Sequence, residues 1–362
     1  MKRPLLFLLL CLPSWASWSY YYPLSYSAAS CGSSTSSSFP ALAYFSASAM
    51  KDAGHGGDVQ YSSGADILFF SDSALTSQVP SELDYYDNVN GIGYFWVQIT
   101  CNSSTAAPYY MAVGNASPPS RMTDPWDSNY GLVLHGGNGS TLSLTDSTTN
   151  GNNGTNVSAS AASGKIAGGF EGLIATNTAG SDNPASMGTF ELWCSPASGD
   201  LGAAAALLTN MNSAGGGSWY APGAALAVRY GSYYIYVDNA SLHGGDSSGG
   251  TVATGWHHVV GTWNASNFVL YVDGVAYTQS NVWGAAAAGT TALSATAYSD
   301  GSYNFQGPVD EIRVSSVVRG ANWIKAEYNN QNAPGNIGSP GFWTFGPKTA
   351  LAIARRRMIV VQ

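Results

Sequence analysis

Three short runs in the second half of the chain constrain it most. Trp256-His257-His258-Val259-Val260-Gly261-Thr262-Trp263-Asn264 is followed closely by Phe268-Val269-Leu270-Tyr271-Val272-Asp273-Gly274-Val275. Gly307-Pro308-Val309-Asp310-Glu311-Ile312-Arg313-Val314 comes later. Each carries β-branched side chains over a strand's length, the first two with aromatic ones as well, and Asp273-Gly274 marks a type I′ hairpin. One helical stretch follows, Arg319 to Asn330, with Trp323, Ile324, Glu327 and Tyr328 at helical spacing. A chain of this pattern builds its core by pairing strands.

Composition agrees with that reading. Only 9% of residues are charged, too few to solvate the exposed faces of many long helices. Gly, Ser, Thr and Asn instead suit short strands joined by tight turns. Aromatic residues make up 12%, which excludes a disordered chain. A length of 362 residues holds two domains, each with its own core. The net charge is −8, and Lys348, Arg355, Arg356 and Arg357 crowd the C-terminal end. The body therefore offers phosphates no basic face, and nucleic acid is not an expected partner.

Residues 1–16 read as a signal peptide. Lys2 and Arg3 form its positive region, Leu5 to Leu12 its apolar region, and Ser14-Trp15-Ala16 its cleavage site. Cleavage near Ala16 would start the mature chain at Ser17 and place it outside the cell or on its surface. The apolar run is too short to span a bilayer. Large Leu10 before Cys11 fits a lipoprotein signal poorly. Of the remaining cysteines, Cys31 and Cys101 fall in one domain and can pair. Cys194, on the apparent strand Phe190–Cys194, is expected to be a buried inert thiol. No C-x-x-C offers metal spacing.

Residues 17–115 form the first expected unit, with strands at Trp18–Ser25, Phe39–Ser46, Asp66–Phe70, Tyr94–Ile99 and Tyr109–Val113. Trp18-Ser19-Tyr20, Gly64-Ala65-Asp66-Ile67-Leu68-Phe69, Phe95-Trp96-Val97 and Tyr109-Tyr110-Met111-Ala112-Val113-Gly114-Asn115 together resemble domain of unknown function 2341. A linker follows at 116–125, stiffened by Pro118 and Pro119. The second unit, 126–332, opens with Trp126-Asp127-Ser128-Asn129-Tyr130-Gly131-Leu132-Val133-Leu134-His135. It continues through Asp146 to Thr155 and Gly169-Phe170-Glu171-Gly172. With the later runs, these motifs resemble the LamG-like jellyroll of the concanavalin A-like lectin/glucanase superfamily, although Glu171 stands where Asp is usual. The expected fold class is all-β: two tandem β-sandwich domains, the second a concanavalin A-like jellyroll. Residues 333–362 are expected to be a C-terminal tail.

Candidate chemistry is sparse. A glycosidase needs two carboxylates facing one sugar. Adjacent Asp310 and Glu311 should point to opposite faces of a strand. Glu82, Asp84 and Asp87 read as a solvated acidic loop, and no same-face acid pair was found on a strand. Nor does the chain carry G-x-S-x-G. His257 and His258 alternate on a predicted strand and read as packing residues.

The LamG-like resemblance implies a structural calcium at Asp146, Asn152 and Asp310, with oxygen donors of the kind calcium takes. The competing reading is that Asp146 and the asparagines cap turns. An EF-hand is excluded, because Val157 occupies the twelfth position of the loop that opens at Asp146. Trp219, Tyr220, Tyr230, Tyr233, Tyr234, Trp283 and Tyr303 are candidate sugar-stacking rings, with no sugar site assigned. Seven N-x-[S/T] sequons, at Asn102, Asn115, Asn138, Asn153, Asn156, Asn239 and Asn264, would lie on the surface if glycosylated.

The expected function is that of a secreted, non-catalytic recognition or adhesion protein. Its partner would be extracellular carbohydrate or another extracellular protein. The rivals are a structural subunit of a surface layer, appendage or virion, and a glycan-cleaving enzyme.

Overall fold

The protein is described by a computed structural model over residues 18–351, apart from 177–183, 185–186, 212–221, 239–242, 279–288 and 290. The signal peptide, Trp219, Tyr220, Asn239, Trp283 and Arg355 to Arg357 lie outside the described residues. The described residues are almost entirely strands, with one α-helix, Ala321–Asn332. No described helix is long and apolar enough to cross a membrane.

The first sandwich packs two antiparallel sheets. One orders Trp343–Phe345, Tyr20–Tyr26, Tyr109–Val113 and Leu68–Phe70, and Thr349–Ala350 also pairs with Tyr20–Tyr26. The other orders Thr35–Ser46, Ile92–Asn102 and Ser81–Asp87. Phe39, Phe45, Phe69, Phe95 and Met111 fill the space between them. Cys31 and Cys101 form the disulfide that their common domain allowed, and Cys194 is free and buried. The segment expected to be a tail is corrected here. Trp343 is fully buried, and Leu24 faces Phe345 across the first sheet, so 343–350 completes the first sandwich. An aromatic strand at a sheet edge buries more apolar surface than a solvated tail could.

The second sandwich packs a seven-stranded sheet on an eight-stranded one. In the larger sheet, Val309–Ser315 pairs with Gly188–Cys194, which pairs with His257–Trp263, and the Asp273-Gly274 turn joins Phe268–Val272 to Val275–Thr278. Phe190, Leu192, Val259, Trp263, Ile312 and Val314 face the interior. Alternation then sends Glu191, Trp193, His258 and Arg313 to the outer face. An antiparallel sheet normally wets such a face, but here it is covered.

The cover comes from the helix and the first sandwich. Trp323, Ile324, Ala326, Glu327, Asn330 and Gln331 form the buried side of the helix. The Asn330 amide substitutes for a neighbouring strand: its Oδ1 accepts from Leu42 N at 2.6 Å and its Nδ2 donates to Leu42 O at 3.0 Å. The 116–125 segment also docks inward, with Arg121 donating to Gly64 O and Ile67 O and lying 5.0 Å from the Phe95 ring centre. Trp126, Tyr130, Val133, Ile166 and Trp323 join the core of the first sandwich. The two sandwiches thus share a buried seam.

Candidate functional site

The seam gathers charge. Arg313, from the outer face of Val309–Ser315, donates to Glu311 Oε2 at 2.8 Å and faces Glu327 at 3.5 Å and Glu191 at 3.6 Å. Its guanidinium lies over the rings of Trp96 and Trp126. His258 reaches Glu191 Oε1 at 2.9 Å, while His257, on the other face of its strand, reaches Asp273 Oδ2 at 2.8 Å. Both histidines therefore hold structural partners.

Asp310 and Glu311 correct the expectation that they would point apart. Between Glu191↔Arg313 and Trp193↔Asp310 the register shifts, and Glu311 adopts φ +53°. The extra residue is a β-bulge, which re-aims side chains by interrupting alternation. Both carboxylates consequently belong to the seam. Glu311 Oε1 meets His135 Nδ1 at 2.8 Å, and Asp310 Oδ2 accepts from Ile166 N. Gly164 permits that approach: a Cβ there would lie 2.7 Å from Asp310 Oδ2.

Glu82 and Asp84 overturn the reading of a solvated loop. They lie on Ser81–Asp87, and the Asp84 side chain is only 3% exposed. They stand two residues apart, a spacing that the sequence reading overlooked. Only Asp87 stays at a turn, capping Val89 and Asn90. Glu82 accepts from Ser147 Oγ and Trp126 Nε1, each at 2.7 Å. His135, stacked on Trp96, sits between the acids. Its Nε2 is 3.6 Å from Glu82 Oε2 and its Nδ1 is 4.0 Å from Asp84 Oδ2. These residues, with Gly137, Ser143, Thr145, Asp146 and Ser147, line a cleft of about 400 Å³.

Electrostatics separates the members. Burial pushes the Asp84 carboxyl up to about 7, helped by Glu311 and Glu82. Burial also opposes charge on Glu82, but His135 and its hydrogen bonds hold that carboxyl below its usual range. Burial would lower His135, yet Glu311, Asp84 and Glu82 raise it well above an ordinary imidazole. Burial and Glu311 push Asp310 well up.

The nominated calcium residues fall into two places. Asp146 Oδ1 accepts from Val133 N and Thr148 N, and its Oδ2 accepts from Thr148 Oγ1 and Asn152 N. Asn152 also donates to Gly131 O. Asp310 Oδ1 accepts from Glu311 N. Every carboxylate oxygen of Asp146 and Asp310 already accepts a hydrogen bond, and turn capping accounts for the bonds around Asp146.

Of the described candidate rings, Tyr233 is buried and Tyr234 stacks on buried Tyr236. Tyr303 packs on Tyr298, and Tyr230 is 74% exposed beneath Arg229. A second hollow of about 170 Å³ lies along the seam, lined by Tyr44, Tyr94, Lys165 and Asn332 among others. Its tyrosines lie on Thr35–Ser46 and Ile92–Asn102 of the first sandwich.

Residues 167–325 match the model of the family described as the concanavalin A-like lectin/glucanases superfamily, somewhat under half of the chain. Solved structures with a distant likeness include the binding domain of Paraclostridial Mosquitocidal Protein 1. It shows 15% identity and a TM-score of 0.45 over 56% of this chain and 52% of that one. The botulinum neurotoxin serotype D binding domain gives 13% and 0.43 over 56% and 51%. Domain 4 of AbnA, a GH43 extracellular arabinanase from Geobacillus stearothermophilus solved with arabinotriose, gives 14% and 0.42 over 54% and 97%. The chain spans about half the length of the first two, and likeness this distant carries no functional argument. No curated protein matches the sequence.

Proposed function

We propose that this chain is an exported recognition protein that binds carbohydrate, without cleaving it, in the cleft between its sandwiches. The observation that carries this reading is the cleft lining. Carboxylates, an imidazole and hydroxyls surround a volume within the usual range for small-ligand sites. Such walls match a ligand dense in hydroxyl groups better than an apolar one. The concanavalin A-like match at 167–325 supports the reading at the level of fold. The Cys31–Cys101 disulfide fits export to an oxidising compartment, as does a signal peptide over 1–16. Residues 17–115 are read as domain of unknown function 2341.

A glycan and polysaccharide panel tests this with the purified chain and a Thr145→Arg variant. Thr145 is exposed at the cleft, so the arginine fills it without disturbing a core. Binding that the variant loses supports the reading. Silence of the wild-type chain on every glycan overturns it and favours a protein partner or a structural subunit.

A second reading, glycan hydrolysis, is favoured by one observation. Glu82 and Asp84 line the same cleft with their carboxyl pKa values displaced in opposite directions. That is the division between a base or nucleophile and a general acid. Reducing ends released by the chain, and lost in Asp84→Asn, would establish it over pure recognition.

A further inference from the structure

We propose that Asp84, His135 and Glu311 bind a divalent transition-metal cation, with zinc as the probe. One ligand atom from each of these residues lies within 4.8 Å of the others. The three come from different parts of the chain: a strand of the first sandwich, the turn after Tyr130–Leu134, and the bulge of Val309–Ser315.

An independent observation points to a missing partner. No well-formed hydrogen bond reaches Asp84 Oδ2, the Trp96 indole acting on this carboxyl only weakly, although the side chain is 3% exposed, and it is the atom facing His135 Nδ1. A buried carboxylate oxygen left unpaired is costly, so such an atom calls for a ligand. The charge balance agrees. Asp84 and Glu311 both face one imidazole, and Arg313 meets Glu311 at its Oε2. Glu311 Oε1 remains on the side of His135.

The spacing suits a metal. Bonds of about 2.1 Å in tetrahedral geometry separate ligand atoms by roughly 3.4 Å. The two distances from His135 Nδ1, 2.8 Å to Glu311 Oε1 and 4.0 Å to Asp84 Oδ2, bracket that value. A cation would take the place of the hydrogen bond between His135 and Glu311. The imidazole selects the metal class, since calcium and magnesium take oxygen donors whereas imidazole suits zinc and its neighbours.

The surroundings also fit. Arg313 holds Glu311 Oε2, and Glu82 Oε2 stands 3.6 Å from His135 Nε2, the position from which a carboxylate orients a ligating ring. Asp84 and His135 line the cleft, which supplies an entry path and a direction for the remaining coordination position. The inference stands independently of what fills the cleft.

The test uses the purified chain, stripped with a chelator and titrated with zinc by calorimetry. Cobalt(II) uptake is followed in parallel through its visible absorption. One metal per chain is expected, with affinity at least tenfold weaker in Asp84→Asn and about tenfold weaker in Glu82→Gln. Circular dichroism verifies that each variant is folded. Absence of stoichiometric zinc or cobalt binding by the wild-type chain overturns the proposal, and needs no variant to do so. Undiminished binding by folded Asp84→Asn overturns it as well.

Discussion

The guanidinium carbon of Arg313 lies 4.3 Å from the centre of the Trp96 ring, joining a strand of the second sandwich to a strand of the first. The same guanidinium faces Glu311, Glu191 and Glu327. Arg313→Met would leave the buried Glu311 and Glu191 carboxylates without this cation, and a broken buried pair typically costs about 3–5 kcal/mol. Denaturant unfolding should show a loss of that size. Arg313→Lys should recover only part of it, because an ammonium lacks the planar fork and the stacking face.

Glu327 makes stability depend on pH. Burial, then Glu191, pushes its carboxyl from 4.5 up to about 8, against the pull of Arg313 and Arg319, while Tyr130 donates to its Oε1. The folded chain thus keeps a proton that the unfolded chain releases. That contribution is complete below about pH 4.5 and disappears as pH rises to about 8. Urea unfolding across this window should show stability falling with pH, with a slope from this group of at most about 1.4 kcal/mol per pH unit. Glu327→Gln should flatten its share of the slope.

The Cys31–Cys101 bridge closes a loop over a sequence separation of 70. Chain entropy assigns such a loop about 4 kcal/mol. Reduction should lower the unfolding midpoint accordingly. Cys194 should resist thiol reagents until the chain unfolds, since burial raises its thiol far above the ordinary range.

Asp146 accepts hydrogen bonds from Val133, Thr148 and Asn152 while itself buried. Asp146→Ala strands those backbone donors, and thermal or chemical unfolding should report a loss of about 2–3 kcal/mol. Asp146→Asn keeps one acceptor oxygen and should lose less.

Much of the scaffold is legible residue by residue. Tyr109–Val113 is observed at its expected bounds, Phe39–Ser46 lies within a longer strand, and the helix begins and ends two residues later than its pattern implied. The candidate site is far less legible. Glu82 and Asp84 carry a readable signal, two acids on one alternating strand. His135 carries none, because Glu311 is 176 positions away and Asp84 belongs to the other sandwich.

By itself, the sequence determined that strands form, where the Asp273-Gly274 hairpin turns, and that Cys194 is a buried thiol on a strand. Those choices rest on side-chain alternation, β-branching and turn conformation, all of which act over a few neighbouring residues. Only the tertiary structure decided that 343–350 would return to the first sandwich and that the outer face of the eight-stranded sheet would be buried. The same holds for the bulge that places Asp310 and Glu311 together in the seam. Those outcomes depend on long-range packing of two sandwiches, which brings charges from distant segments into one low-dielectric space that local sequence preferences do not register.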